Sequence, residues 1–71
     1  MLKLELDTEF IEKKLAEMER SRAWLGRKIG SSNSSMVYIW TVRPISRADD
    51  IAVVLGVEPK SLIKQVRADD E

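Results

Sequence analysis

Two apolar-patterned segments that meet at a glycine constrain the fold of this chain more than any other feature. The first segment ends at Gly30, and the second begins after Ser32 and carries Met36 and Ile39 on one side. Glycine can adopt the left-handed backbone conformation that commonly ends a helix, and a serine hydroxyl can accept a free backbone N–H at the start of the next helix. The stretch 22–41 therefore predicts a helix, a short turn and a second helix.

Six residues of this stretch follow a fixed order of apolar, small, apolar, glycine and two further apolar positions: Leu25, Gly26, Ile29, Gly30, Met36 and Ile39. The pattern resembles the helix-turn-helix of the lambda-repressor-like (Cro/cI-type) family, and the resemblance extends over residues 8–63. It implies a lambda-repressor-like, all-α bundle of about five short helices that binds duplex DNA through the second helix of the motif. Two positions depart from the family pattern, Arg20 and Val42.

Helix signals elsewhere in the chain agree with an all-α fold. Asp7 or Thr8 is placed to cap a first helix, and Ser21 is placed to cap the second. The sequence Ser46–Asp49 has the form of a capping box that would open a fourth helix. Pro59 at a first helical position would open a fifth. We therefore expect a single helix-turn-helix domain over the whole chain.

The two ends of the chain differ from its middle. Residues 1–6 alternate leucine with charged residues, which is the period of a β-strand. Two interpretations remain open for this N-terminal arm: it lays its leucines on the core, or it pairs with its twin in a homodimer. Residues 67–71 predict a polar, acidic tail.

The basic residues are clustered although the net charge is zero. Residues 20–47 hold six of the twelve basic side chains and none of the twelve acidic ones, so this window carries +6 and the remainder −6. A neutral protein polarised in this way can present a positive face to phosphate. The alternative is that the six charges only solvate two helices.

The second helix of the motif carries the predicted base contacts, because the early residues of such a helix meet base edges in the major groove. Asparagine can bond adenine, serine can bond several bases, and valine can touch a thymine methyl group. The predicted base contacts are Asn33, Ser34, Val37 and Tyr38. The predicted phosphate contacts are Arg22, Arg27, Lys28, Ser32, Thr41, Arg43 and Arg47. The family resemblance also implies that Arg22 braces the recognition helix.

A solvated helix face is the alternative for each of these contacts. The run Ser-Ser-Asn-Ser-Ser is also typical of a flexible loop.

The residue types present argue against catalysis. The chain contains neither cysteine nor histidine, which removes the commonest nucleophilic, general-base and metal-ligating side chains. Its adjacent carboxylate pairs are Asp49–Asp50 and, in the tail, Asp69–Asp70 and Asp70–Glu71, and neighbours on a helix do not converge on one site. We expect no enzyme, no metal and no cofactor. The segment MLKLEL is too short and too charged for a signal peptide, and no apolar run could span a bilayer, so we expect no membrane association and a cytoplasmic location.

These features together predict a sequence-specific duplex DNA-binding transcriptional regulator. The resemblance favours a phage-type or mobile-element repressor that acts by operator occupancy as a homodimer. The alternative is an antitoxin-type or other protein-interaction module on the same fold. Its protein partner would contact the acidic remainder of the chain and the apolar excess at Val53, Val54 and Val66.

Overall fold

The computed structural model describes residues 2–67, which are mostly helical and include one small two-stranded sheet. The elements are β1 (Leu2–Leu6), α1 (Thr8–Glu17), α2 (Arg22–Ile29), α3 (Asn33–Val42), a 3₁₀ turn (Ile45–Arg47), α4 (Ala48–Leu55), a second 3₁₀ turn (Pro59–Leu62) and β2 (Ile63–Arg67). Arg67, the first residue of the predicted tail, ends β2. The rest of that tail, residues 68–71, lies outside the described residues, as does Met1.

The first three helices begin where their capping residues predict. In each case a side-chain oxygen of the residue before the helix accepts a backbone N–H three positions later, which satisfies one of the free donors of the first turn. The acceptor and donor pairs are Asp7 and Phe10 at 3.1 Å, Ser21 and Trp24 at 3.1 Å, and Ser32 and Ser35 at 3.2 Å.

Every major element contributes to one apolar core. The largest fully buried side chains come one each from β1, α1, α2, α3, α4 and the second 3₁₀ turn: Leu6, Ile11, Leu25, Ile39, Ile51 and Leu62. Because they form a single cluster, the helices and the sheet are stabilised by the same burial of apolar surface.

The prediction of an all-α chain with a fifth helix is wrong. Pro59 opens only a 3₁₀ turn, and residues 63–67 continue as β2, which pairs antiparallel with β1 so that Leu4 lies opposite Gln65. Pro59 supplies a favourable start, but the next residues include the β-branched Ile63 and Val66, which favour strands. Pairing with the arm then satisfies the backbone groups along the inner edge of each segment.

The pairing gives the N-terminal arm a partner that neither interpretation named. Within one chain this partner is the chain's own C-terminal strand. Leu6 enters the core, whereas Leu2 and Leu4 remain 57% and 50% exposed. The Asp7 N–H donates to the Leu62 carbonyl at 2.6 Å and continues the pairing into α1.

The predicted capping box before α4 is also wrong. Ser46 lies inside the 3₁₀ turn Ile45–Arg47, and α4 begins at Ala48 with no side-chain cap. A capping residue must have extended backbone, and here Pro44 holds that conformation, with ψ of 129°. The chain therefore turns two residues earlier than the capping-box pattern requires.

The longest helices, α1 and α3, have ten residues each. Within residues 2–67, none of the helices has the length and apolar character needed to cross a membrane.

Candidate nucleic-acid interface

The inner face of α3 packs against α2 through a close approach at Gly26. Met36 and Ile39 are buried, and a Cβ atom at Gly26 would lie 3.0 Å from the Cγ atom of Met36 and 3.3 Å from its sulfur. Glycine therefore provides the space that the methionine occupies. This packing fixes which side of α3 faces outward.

The opposite side of α3 is exposed and uncharged. It is formed by five residues at helical spacing, which we call the α3 outer face: Asn33, Ser34, Val37, Tyr38 and Thr41. Residues three or four positions apart lie side by side on a helix, so the five form one continuous stripe. Val37 and Tyr38 are 66% and 53% exposed. All four predicted base contacts and the predicted phosphate contact Thr41 thus lie on one side.

Val42 extends this stripe and was not among the predicted contacts. It follows Tyr38 by four positions, is 51% exposed, and is the last residue of α3. The sequence contains a signal for it: Pro44 disfavours helical backbone only at Arg43, so the helix can continue through Val42.

The turn between α2 and α3 is short and held by backbone bonds. Gly30 has φ of 73° and ends α2 in the left-handed conformation, and the Ser31 N–H donates to the Gly26 carbonyl at 2.8 Å. The predicted phosphate contact Ser32 is exposed, and its hydroxyl accepts the Ser35 N–H. Its capping bond therefore orients the first turn of α3.

A cleft between the N-terminal ends of α2 and α3 brings one predicted phosphate contact next to two predicted base contacts. Its volume is about 220 Å³, and Arg22, Ala23, Asn33, Met36 and Val37 line it. Arg22 is therefore placed beside the start of the α3 outer face.

Arg22 also belongs to a cluster that joins three helices. Its guanidinium contacts the carboxylate of Glu12 in α1 and lies over the Trp40 ring in α3, 4.7 Å from the ring centre. The Trp40 indole N–H donates to the same carboxylate oxygen. Trp40 is half-buried, packs against the core and also faces this cluster. The contacts connect α3 to α1 and α2.

The cluster lowers the pKa of Glu12 below the usual value for a glutamate. The main cause is the hydrogen bond from the Trp40 indole, and the hydrogen bond and positive charge of Arg22 add to it. Desolvation opposes these effects. The carboxylate therefore stays charged to lower pH than it would in an unfolded chain.

The remaining cations of the basic window are mostly engaged within the chain. Arg43 pairs with Glu5 at 3.6 Å, and Arg47 pairs with Asp50 at 3.7 Å. Arg20 and Lys28 lie 5.1 and 5.8 Å from the centre of the Trp24 ring. Carboxylates from outside the basic window thus lie against its cations. Arg27 makes no ion pair or cation–π contact with residues 2–67.

Two predicted phosphate contacts lie toward α4 and away from the cleft at Arg22. Lys28 lines a second cleft of about 310 Å³ together with Ile29, Asp50, Val53 and Val54. Arg47 pairs with Asp50 at the edge of the same cleft. The structure therefore divides the predicted phosphate contacts between two sides of α2.

Comparisons with protein-family models, with curated proteins and with solved structures found no match for this chain. The lambda-repressor-like resemblance stays a prediction. It rests on the matched residues alone.

No group of histidine, cysteine, aspartate and glutamate side chains within residues 2–67 is arranged to hold a metal ion.

Proposed function

We propose that this chain is a sequence-specific duplex DNA-binding transcriptional regulator that places α3 in the major groove. The observation that carries the proposal is the α3 outer face, where exposed amide, hydroxyl and apolar groups form one stripe without any charge. Such groups match the donors, acceptors and methyl groups that base pairs present in that groove. In this proposal Asn33, Ser34, Val37 and Tyr38 contact bases, as the resemblance implies.

Phosphate contacts would come from the basic side chains around the motif. Arg27 has no competing partner within residues 2–67, and Arg22 lies beside the start of the α3 outer face. Arg22 and Arg43 would exchange a carboxylate for a phosphate. For Arg22 the exchange costs little, because its pair with Glu12 is exposed and exposed ion pairs contribute only about 0–1 kcal/mol. Ser32 precedes the stripe and Thr41 lies at its C-terminal end, and both would add hydroxyl contacts.

The proposed mechanism is occupancy of an operator by a homodimer, as in a phage-type or mobile-element repressor. One recognition helix contacts only a few base pairs, so useful specificity requires two half-sites. The lambda-repressor-like arrangement that the resemblance implies would place the two α3 helices on one face of the duplex.

Selection of bound sites from a random duplex library at moderate salt, followed by sequencing, tests the proposal. We expect a recovered motif with two-fold symmetry. No enrichment, together with binding that disappears as salt rises, would leave only non-specific attraction to phosphate and would overturn the proposal.

The substitution Asn33→Ala tests the assignment of base contacts. We expect binding to the selected site to weaken by about 1–3 kcal/mol while non-specific binding is retained. The matched control is Ser61→Ala, another exposed polar residue, located in the second 3₁₀ turn. Equal losses of affinity for specific and non-specific DNA would mean that Asn33 does not contact a base.

The substitution Arg27→Ala tests the phosphate contacts. Loss of the Arg27 charge should reduce the slope of the logarithm of the binding constant against the logarithm of salt concentration by about one. The reason is that each phosphate neutralised by the protein releases about one counterion. Lys60→Ala is the control, since Lys60 is exposed in the second 3₁₀ turn. A slope that Arg27→Ala leaves unchanged would place this side chain away from the DNA.

A protein-interaction module of the antitoxin type is the second candidate. It is favoured by Val53, which is 81% exposed beside the cleft that Ile29 and Val54 also line. In that case Val53→Asp should abolish capture of a host polypeptide while leaving DNA binding intact. A chain that captures no polypeptide but enriches a DNA motif would dismiss this candidate.

A further inference from the structure

The outer edge of β1 has backbone groups that no other part of residues 2–67 pairs with. The Leu6 N–H donates to the Arg43 carbonyl at 3.0 Å, so it points away from β2. In an antiparallel ladder, alternate residues direct their N–H and C=O groups to the same edge. The groups of Leu2 and Leu4 therefore point outward with Leu6, and no backbone partner for them lies within residues 2–67.

The side chains of the same residues leave an apolar strip beside this edge. Leu2, Leu4 and Leu6 share one face of the two-stranded ribbon that β1 and β2 form. Leu2 and Leu4 are half exposed. Lys3 and Glu5 lie on the other face, with their charged groups 3.7 Å apart. An edge strand with free backbone groups and exposed leucines is a surface that another strand can join.

We propose that this edge pairs with β1 of a second copy of the chain, in an antiparallel ladder centred on Leu4. The sequence Leu-Lys-Leu-Glu-Leu is complementary to itself in that register. Lys3 lies opposite Glu5 of the second copy on both sides of a two-fold axis, and the two Leu4 side chains lie opposite each other. Opposite charges across strands stabilise a pair, and a two-fold interface uses the same patch twice.

The neighbouring registers are disfavoured by charge. A ladder centred on Lys3 would place two lysines opposite each other, and one centred on Glu5 would do the same with two glutamates. The Arg43 carbonyl occupies the edge at Leu6, where Leu2 of the second copy would otherwise pair. The proposed ladder is therefore confined to residues 3–5 of each copy. The leucine side chains then provide much of the contact.

This assignment names the dimer surface of the proposed regulator, but it does not depend on DNA binding. Self-association can be measured without DNA, so failure of one proposal leaves the other unaffected. A host protein that supplied the extra strand would be the competing occupant.

Single-cysteine cross-linking of the full chain tests the register, because the natural sequence contains no cysteine. In the proposed ladder the two Leu4 Cα atoms are about 5.5 Å apart, within the range of a disulfide. The two Leu2 Cα atoms are separated by four residues along the strands, or about 13 Å. We expect the disulfide-linked dimer of Leu4→Cys to form about tenfold faster than the disulfide-linked dimer of the matched control Leu2→Cys. Equal rates, or faster cross-linking of Leu2→Cys, would overturn the proposal.

Charge exchange between two variants provides a second test in sedimentation velocity. Lys3→Glu and Glu5→Lys should each weaken self-association about tenfold, because each places like charges opposite each other. A mixture of the two should associate again, since every pair is then opposite in sign. Circular dichroism of each variant checks that the fold is retained. A wild-type chain that stays monomeric at all concentrations, or a mixture that fails to associate, would overturn the proposal.

Discussion

The helix-turn-helix and the terminal ribbon are specified in different ways. In α2 and α3 the signals are local: a serine before each helix, a glycine after α2, and a small residue where the helices meet. In the ribbon, β1 and β2 acquire their structure from each other, although Leu4 and Gln65 lie at opposite ends of the chain. Local signals can be recognised in sequence, whereas a partner strand so distant cannot be identified from either segment alone.

The ribbon contacts the helical core through Leu6. Substitution of this residue should lower the free energy of unfolding more than any of the substitutions below. Leu6 is fully buried among helical side chains, so Leu6→Ala removes apolar contacts and leaves a cavity in the shared core. We expect the free energy of unfolding to fall by about 2–5 kcal/mol, a large fraction for a domain of this size. Urea unfolding at a concentration where the chain is monomeric would measure the loss.

The matched control is Leu2→Ala, which removes the same atoms from the same face of β1 where the side chain is exposed. A loss in Leu2→Ala as large as that in Leu6→Ala would mean that the outer ribbon, rather than the core, stabilises the strand pair.

The contact between α2 and α3 should be the next most sensitive point. Gly26→Val adds a branched side chain where Met36 already lies 3.0 Å from the position of a Cβ atom. We expect a loss of about 1–3 kcal/mol from overpacking, measured by thermal unfolding. Gly26→Ala is the milder variant, because the flexible methionine side chain can move and alanine favours the helix. If the two variants were equally stable, the helices would not be in close contact at this position.

A pair of serine substitutions separates a cap that is present from one that only the sequence pattern predicts. Ser32→Ala should cost about 1 kcal/mol, because the Ser32 hydroxyl accepts the Ser35 N–H at the start of α3. Ser46→Ala should have almost no effect, because α4 has no side-chain cap. Chemical denaturation of both variants would compare them. A loss in Ser46→Ala that matched the loss in Ser32→Ala would restore the capping box.

The candidate interface shows the same division between local and distant information. The α3 outer face follows from helical period, because burial of Met36 and Ile39 leaves Asn33 and Tyr38 on the other side. The charge of the interface does not follow from sequence in this way. Glu12, distant in the chain, lies against the basic window and contacts Arg22. A count of charges along the chain therefore overstates how many cations are free for phosphate.

The Glu12 carboxylate offers the smallest and most specific test of this point. Its pKa is lowered in the folded chain, so the folded state keeps it charged at a pH where the unfolded chain would take up a proton. The resulting stabilisation is fully present above the unfolded value of about 4.3 and is lost as pH falls through the lower, folded value. The cluster is partly exposed and therefore screened, so we expect about 0.2–1 kcal/mol.

The measurement is the free energy of urea unfolding, followed by circular dichroism between about pH 7 and pH 3, because the carboxylate titrates within that range. Wild type should lose more stability on acidification than Glu12→Gln, whose amide cannot titrate. Glu17→Gln removes a carboxylate from the same helix, outside the cluster, and should follow wild type. If Glu12→Gln and wild type gave parallel curves, the contact with Arg22 and Trp40 would not persist in solution. Arg22 would then be as available to phosphate as Arg27.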